Sequence, residues 1–126
     1  MFANTRAYSG FAVDDLDAAR RFYGDTLGLD VSTLVEGDLI SLHLAGDRDT
    51  LVYLKPDFAP ATYTILNFPV DDVDAAADEL ARRGVSLERY DGFDQDERGI
   101  ARGPEGPAIA WFKDPAGNIL AVHEQM

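Results

Sequence analysis

The sequence predicts an α+β fold built from two tandem βαβββ units, and three observations carry that prediction. First, Val13-Asp14-Asp15-Leu16-Asp17-Ala18-Ala19 recurs as Val70-Asp71-Asp72-Val73-Asp74-Ala75-Ala76, 57 positions later in a chain of 126 residues. A repeat at nearly half the chain length marks two copies of one supersecondary unit. Second, each copy is preceded by a run of period-two alternation, followed by helical spacing, and then by three further strand-like runs. Third, the length suits one compact domain able to bury a core. The units are expected at residues 5–57 and 61–124 of a single domain 1–126.

In the first unit, Arg6 to Val13 reads as a strand with Phe11 and Val13 on one face and Tyr8, Gly10 and Ala12 on the other. Asp14-Asp15 then opens a helix, where carboxylates accept from free amide groups and favour the positive helix end. Leu16, Ala19, Tyr23 and Leu27 follow helical spacing, Phe22 widens the stripe, and Gly28 is the expected terminator. Strands follow at Leu29–Leu34, Leu39–Ala45 and Thr50–Lys55, with Gly37-Asp38 and Gly46-Asp47 as turns. Asp57 to Pro60 is the connector.

The second unit opens with Thr62–Val70, in which Phe68 and Val70 repeat the phase of Phe11 and Val13. Val73, Ala76, Ala77, Leu80 and Ala81 make the helical stripe, which Gly84 ends. Strands are predicted at Ser86–Tyr90, Ala108–Lys113 and Asn118–Glu124. Asp91 to Pro107 is a loop of unusual length for a compact domain, so it either covers a site or is a surface excursion. One helix covers one sheet face. The other face of each sheet is therefore where a partner sheet or a ligand belongs.

Composition narrows the function classes. With 23 acids against 11 bases the net charge is −12, which repels phosphate backbones and argues against a nucleic-acid partner. The same field favours a cationic small molecule, although acids on solvated helix faces account for it as well. The absence of cysteine excludes disulfides, thiolate metal sites and a cysteine nucleophile. No basic-then-apolar leader and no apolar run near 18 residues is present, so a cytoplasmic protein without membrane contact is expected.

Several segments together resemble the vicinal oxygen chelate superfamily of glyoxalases, extradiol dioxygenases and bleomycin-resistance proteins. They are the repeat running into Phe22-Tyr23 and Leu27-Gly28-Leu29, then Gly103 to Pro107, then Trp111-Phe112-Lys113-Asp114-Pro115-Ala116-Gly117-Asn118-Ile119-Leu120. The Asp-Pro-x-Gly-Asn turn is the most specific. The resemblance spans essentially the whole chain and implies a curved, partly open barrel of the glyoxalase/bleomycin resistance/dihydroxybiphenyl dioxygenase type, often paired as a homodimer.

The resemblance also implies where a metal would sit. In metal-using members two ligands lie seven residues before the helix-starting Asp of each unit, which here are Tyr8 and Ile65. A third lies on the fourth strand of unit one, best matched by Tyr53, and a fourth falls on Ala121. His, Glu or Gln is expected at those positions. Ile and Ala carry no donor, and tyrosine is a rare ligand for such divalent ions. No metal or other cofactor is expected, and a divalent ion is disfavoured.

Strand parity places Tyr8, Leu51, Tyr53, Tyr63, Ile65, Asn67, Ile109, Trp111, Ile119 and Ala121 on the faces away from the helices. From these, Tyr8, Tyr53, Tyr63, Ile65, Asn67, Trp111 and Ala121 are the candidate ligand-binding residues. Such a lining suits a small-molecule pocket, with Gly10 and Ala121 leaving room, and it equally suits a filled core. Trp111 offers the largest flat surface. His43 and His123 share that parity and are the candidate general bases, with plain hydrogen-bonded or exposed roles as the competing reading. Asp94, Asp96, Glu97 and Arg98 form either an acidic lip or a solvated loop.

Three functions follow from this reading. The first is a metal-independent protein that binds a small organic molecule in the barrel. The second is a lyase, isomerase or dioxygenase with a rearranged site. The third is a dimeric regulatory or binding module without a ligand cavity.

Overall fold

A computed structural model describes residues 1–104 and 106–125; Glu105, inside the Gly103 to Pro107 stretch, and Met126 lie outside it. The chain divides into two compact units, one ending at Pro60 and the other beginning at Ala61. Each is a small sheet with a helix, so the fold class is α+β.

The repeated heptapeptide is a helix start in both units. Asp15 and Asp72 sit in extended backbone as N-caps, and their carboxylates accept from the N–H of Ala18 (3.0 Å) and Ala75 (3.1 Å). Asp17 and Asp74 add negative charge in the first turn, where the helix dipole favours it. The helices end where glycine was expected, with φ of +76° at Gly28 and +81° at Gly84.

In the first unit, β1 (Ser9–Val13) leads into α1 (Leu16–Arg20), and β2 (Asp30–Val35), β3 (Leu39–Leu44) and β4 (Arg48–Leu54) follow. The sheet order is β1-β4-β3-β2, with β1 parallel to β4 and the remaining pairs antiparallel. The helix-side face holds Phe11, Val13, Ile40, Leu42 and Val52, all buried, together with Leu16 and Ala19 from α1. Beyond α1 the chain widens into a π-helical turn over Arg21–Thr26, closed by Leu27 N–H bonding to Phe22 C=O at 2.9 Å. That turn delivers Tyr23, fully buried, edge-on to Phe22 (5.1 Å) and beside Phe11 (5.7 Å). Two expectations need adjustment here. The first strand begins at Ser9 rather than Arg6, because its ladder to β4 begins with Ser9 opposite Thr50. Gly10 does not leave room for a ligand: a Cβ there would meet the Leu51 carbonyl oxygen at 3.3 Å, so the glycine serves the close β1–β4 approach.

In the second unit, β5 (Thr64–Val70) leads into α2 (Val73–Arg82), and β6 (Ile109–Lys113) and β7 (Ile119–Glu124) follow. The order is β5-β7-β6, with β5 parallel to β7 and β6 antiparallel to it. Val73, Ala77 and Leu80 of α2 and Ala110, Phe112, Leu120 and Val122 of the sheet are buried on the helix side. The Asp-Pro-x-Gly-Asn turn joins β6 to β7 through the buried Asp114, whose carboxylate accepts from the N–H of Ala116 (3.0 Å) and Asn118 (2.8 Å) and from Asn118 Nδ2 (3.1 Å).

The strand expected at Ser86–Tyr90 does not form. This segment makes one backbone bond to β6, from Glu88 N–H to Trp111 C=O at 2.8 Å. A side chain from the following loop bonds to two further backbone groups of the segment. Gln95 accepts from Tyr90 N–H (2.8 Å) and donates to the carbonyls of Glu88 (3.0 Å) and Gly99 (2.7 Å). One amide thus does locally what a neighbouring strand would do, and Ala101 pairs with Ile109 in both directions (2.8 and 3.0 Å) on the same edge of β6.

Because these three bonds are partly buried, we expect Gln95→Ala to cost about 1–2 kcal/mol of unfolding free energy in urea denaturation. An exposed change such as Asp57→Ala is expected to stay within roughly 0.5 kcal/mol.

Candidate functional site

The face of the second sheet away from α2 carries Trp111 and Ala121, directly opposite each other in the β6–β7 register. Ala121 is fully buried beneath this face, and with Ala101 the pair forms a separate small core against which Tyr90, Ile109 and Ile119 pack. The small Ala121 opposite the large Trp111 leaves space beside the indole. Tyr90 meets it edge-on at 5.7 Å, and Phe93, from the long loop, lies tilted against it at 4.8 Å.

Phe93, Ile109 and Trp111 are shared by two clefts. The larger, about 910 Å³, is lined also by Asn67, Asp94 and His123. The smaller, about 430 Å³, is lined also by Tyr63, Tyr90 and Ile119. The larger volume is that of a small-molecule site, apolar with a few polar groups.

Two polar groups are chemically distinct, His123 in the wall of the larger cleft and Tyr90 in that of the smaller. His123 Nδ1 lies 2.7 Å from the Glu124 carbonyl oxygen. A carbonyl only accepts, so Nδ1 carries the hydrogen and the neutral ring presents Nε2 as an acceptor. The Tyr90 hydroxyl is buried without a hydrogen-bond partner among the described residues. Burial, with Glu88 nearby, raises its pKa above the ordinary phenol value and keeps it a neutral donor.

The long loop brings Phe93 and Ala101 to this face, and its residues 95–102 are tied down. Asp96 turns inward, accepting at Oδ1 from the N–H groups of Arg98 (2.9 Å), Gly99 (3.0 Å) and Ile100 (2.9 Å). Arg102 donates to the other carboxylate oxygen at 3.3 Å. Arg98 and Arg102 both reach Asp74 on α2, and Arg98 also pairs with Asp78. Of the residues expected to form an acidic lip, Asp94 lines the larger cleft, while Glu97 is exposed and lines neither cleft. Asp96 organises the loop, and Arg98 fastens it to the helix.

The candidate residues separate into groups. Asn67, Trp111 and His123 line the larger cleft, Tyr63 lines the smaller, and Ala121 lies beneath the indole. Ile65 is half-buried and lines neither. Tyr8 and Tyr53, 67% and 41% exposed in the first unit, also line neither. His43 stands on β3 between Ser32 and Asp49, with 2.7 Å from Nε2 to Ser32 Oγ and 2.8 Å from Nδ1 to Asp49 Oδ1. Strand parity gave no sign of Phe93 or Tyr90, which lie on irregular backbone.

The four positions at which the family resemblance implies metal ligands do not fit a metal. Ile65 and Ala121 have no donor atom, and Ala121 is fully buried. Among the described residues no three His, Cys, Asp or Glu side chains gather where a metal ion could be held. Nor is any helix among them long and apolar enough to cross a membrane.

With two βα-led sheets, a capping repeat and an Asp-Pro-x-Gly-Asn turn in hand, comparison with known proteins defines the class. The model of the glyoxalase/bleomycin resistance protein/dioxygenase superfamily matches residues 6–122, and the chain belongs to that superfamily. Among solved structures, lactoylglutathione lyase from Agrobacterium tumefaciens is similar at 26% identity and a TM-score of 0.66, over 96% of this chain and 93% of that one. The antibiotic-binding protein TnmS3 from Streptomyces sp. CB03234 matches at 24% identity and a TM-score of 0.69, over 98% of both chains. The fosfomycin resistance protein FosX from Listeria monocytogenes matches at 14% identity and a TM-score of 0.72, over 95% of this chain and 92% of that one. Among curated proteins none matches.

Two outcomes follow from this geometry. Tyr90→Phe removes a buried, unpartnered hydroxyl, so equilibrium denaturation is expected to find the variant as stable as the parent or about 1 kcal/mol more so. Asp96 has its carboxyl pKa lowered, first by the Ile100 N–H and further by Arg102 and the other loop amides. Its contribution is whole above the ordinary carboxyl value of about 4 and is lost as pH falls through the lower folded value. Amide NMR of residues 98–100 is expected to follow that acid transition, and Asp96→Asn to abolish it.

Proposed function

We propose that this chain is a metal-independent small-molecule-binding protein that holds a planar, mainly apolar ligand against Trp111. The observation that carries the reading is the Phe93–Trp111 ring pair, which forms the wall common to both clefts. Phe93 is 56% exposed, so a flat ligand can replace solvent on its outer side or enter between the rings as the loop yields. Polar orientation comes from His123, whose Nε2 accepts, and from Asp94, which favours a cationic substituent; both line the larger cleft. The net charge of −12 favours the same sign of ligand at longer range.

The side chains at the family's ligand positions support binding without a metal, since none of the four is His, Glu or Gln. The fold is shared with an antibiotic-binding protein; at 24% identity that likeness carries the fold and not the ligand.

Trp111 is the only tryptophan, so its fluorescence reports the site directly. A planar aromatic cation such as proflavine is expected to quench it saturably. Phe93→Ala is expected to weaken that binding by about threefold to tenfold, the worth of one aromatic pair. Thermal stabilisation by zinc, nickel or manganese ions, with no aromatic probe quenching Trp111, would sink the reading.

A further inference from the structure

The first unit holds a hydrogen-bonded chain of side chains that ligand binding in the second unit does not use. His43 and Asp49 are opposite each other in the β3–β4 register, and Ser32 lies one diagonal step from His43, since its own partner on β3 is Ser41. The residues that flank His43 and Asp49 toward the helix, Leu42 and Thr50, are buried, so alternation puts the chain on the face away from α1. The distances are 2.7 Å from Ser32 Oγ to His43 Nε2 and 2.8 Å from His43 Nδ1 to Asp49 Oδ1.

The direction of these bonds follows from chemistry. A carboxylate only accepts, so His43 Nδ1 carries the hydrogen toward Asp49. The neutral ring then accepts at Nε2, and Ser32 donates its hydroxyl hydrogen to it. That polarity prepares a serine oxygen for attack, because the ring can take the proton as a bond to carbon forms and the carboxylate stabilises the resulting imidazolium. Triads of this kind are recognised by geometry and roles rather than by order in the sequence.

The surroundings suggest the substrate. β2 is an edge strand, so alternate N–H groups of Asp30–Val35 point away from the sheet and can bond to an oxyanion. Leu34 and Val35, which follow Ser32 on the same strand, are exposed and apolar. The net charge of −12 disfavours an anionic substrate.

We propose that Ser32, His43 and Asp49 form a nucleophilic triad that cleaves small, neutral carboxylic esters with a short apolar acyl group. Ser32 Oγ bonds to the ester carbonyl carbon while its proton passes to His43 Nε2. The carbon–alkoxy bond then breaks, and His43 returns that proton to the leaving oxygen. Water attacks the acyl-serine by the same route, giving the free acid and restoring Ser32. No metal, redox partner or cofactor enters the balance.

The test uses the full chain with a fluorophosphonate probe and with p-nitrophenyl butyrate. One adduct per chain is expected, mapping to Ser32 by mass spectrometry, and Ser32→Ala is expected to abolish both the adduct and ester turnover. His43→Gln and Asp49→Asn are each expected to slow labelling roughly tenfold or more. Adducts scattered over several hydroxyls, or labelling of Ser32 at a rate indifferent to His43→Gln, would overturn the proposal. Ser32→Cys provides a measurement independent of turnover, because it introduces the only thiol in a cysteine-free chain. Its iodoacetamide alkylation is expected to have a pH midpoint below the ordinary thiol value of about 8.5 and to return to it when His43→Gln is added. A midpoint at the ordinary value in both forms would also overturn the triad.

Discussion

A sheet with one helix hides only one of its faces, and most of what is distinctive in this protein answers that constraint. In both units the helix side is settled the same way. Phe11, Ile40, Leu42 and Val52 pack under α1 with its π-helical extension, and Ala110, Phe112, Leu120 and Val122 pack under α2. The opposite faces are where the two units part company. A bare face must be covered by chain, given polar groups that water tolerates, or left as a surface for something else.

The second unit covers its face with its own loop. Gln95 replaces a missing strand, Asp96 gathers three successive amides, and Arg98 and Arg102 fasten the loop to α2. The ion pairs among these contribute little alone, being partly exposed. Their effect is positional: together they bring Phe93 onto Trp111 and leave two clefts beside it. Covering the face with irregular chain, instead of a strand, is what leaves volume there.

How much of this was legible follows from the range of each interaction. The helix starts at Asp15 and Asp72 and the stops at Gly28 and Gly84 are decided within four residues, and the sequence pattern locates them. The parity of Trp111, Asn67 and His123 was legible too, because alternation is a property of the strand itself. Ser86–Tyr90 was misread because Val85 and Leu87 alternate with Ser86 and Glu88 as in a strand, while Gln95, which bonds to Glu88 and Tyr90, arrives from a loop that has no period. Phe93 was invisible for the same reason. The contacts of His43 depended on a register that pairs it with Asp49 and sets Ser32 on the diagonal, and no single strand contains that information.

The ladders make the divergence of the two bare faces concrete. Gly10 opposite Leu51 in β1–β4 corresponds to Asn67 opposite Ala121 in β5–β7, and Ser41 opposite Leu51 corresponds to Trp111 opposite Ala121. One step along, His43 opposite Asp49 corresponds to Lys113 opposite Ile119. The same lattice thus holds an imidazole–carboxylate pair in one unit and an indole on an alanine in the other. Small opposite large leaves space beside the Trp111 ring; a leucine at the fully buried Ala121, as at the equivalent Leu51, would crowd it. Conversely, an isoleucine at Asp49 would leave His43 with no acceptor for Nδ1–H and no fixed tautomer. Duplication supplied one set of paired positions, and the side chains placed on them decide whether a face presents an apolar ring or a hydrogen-bonded imidazole.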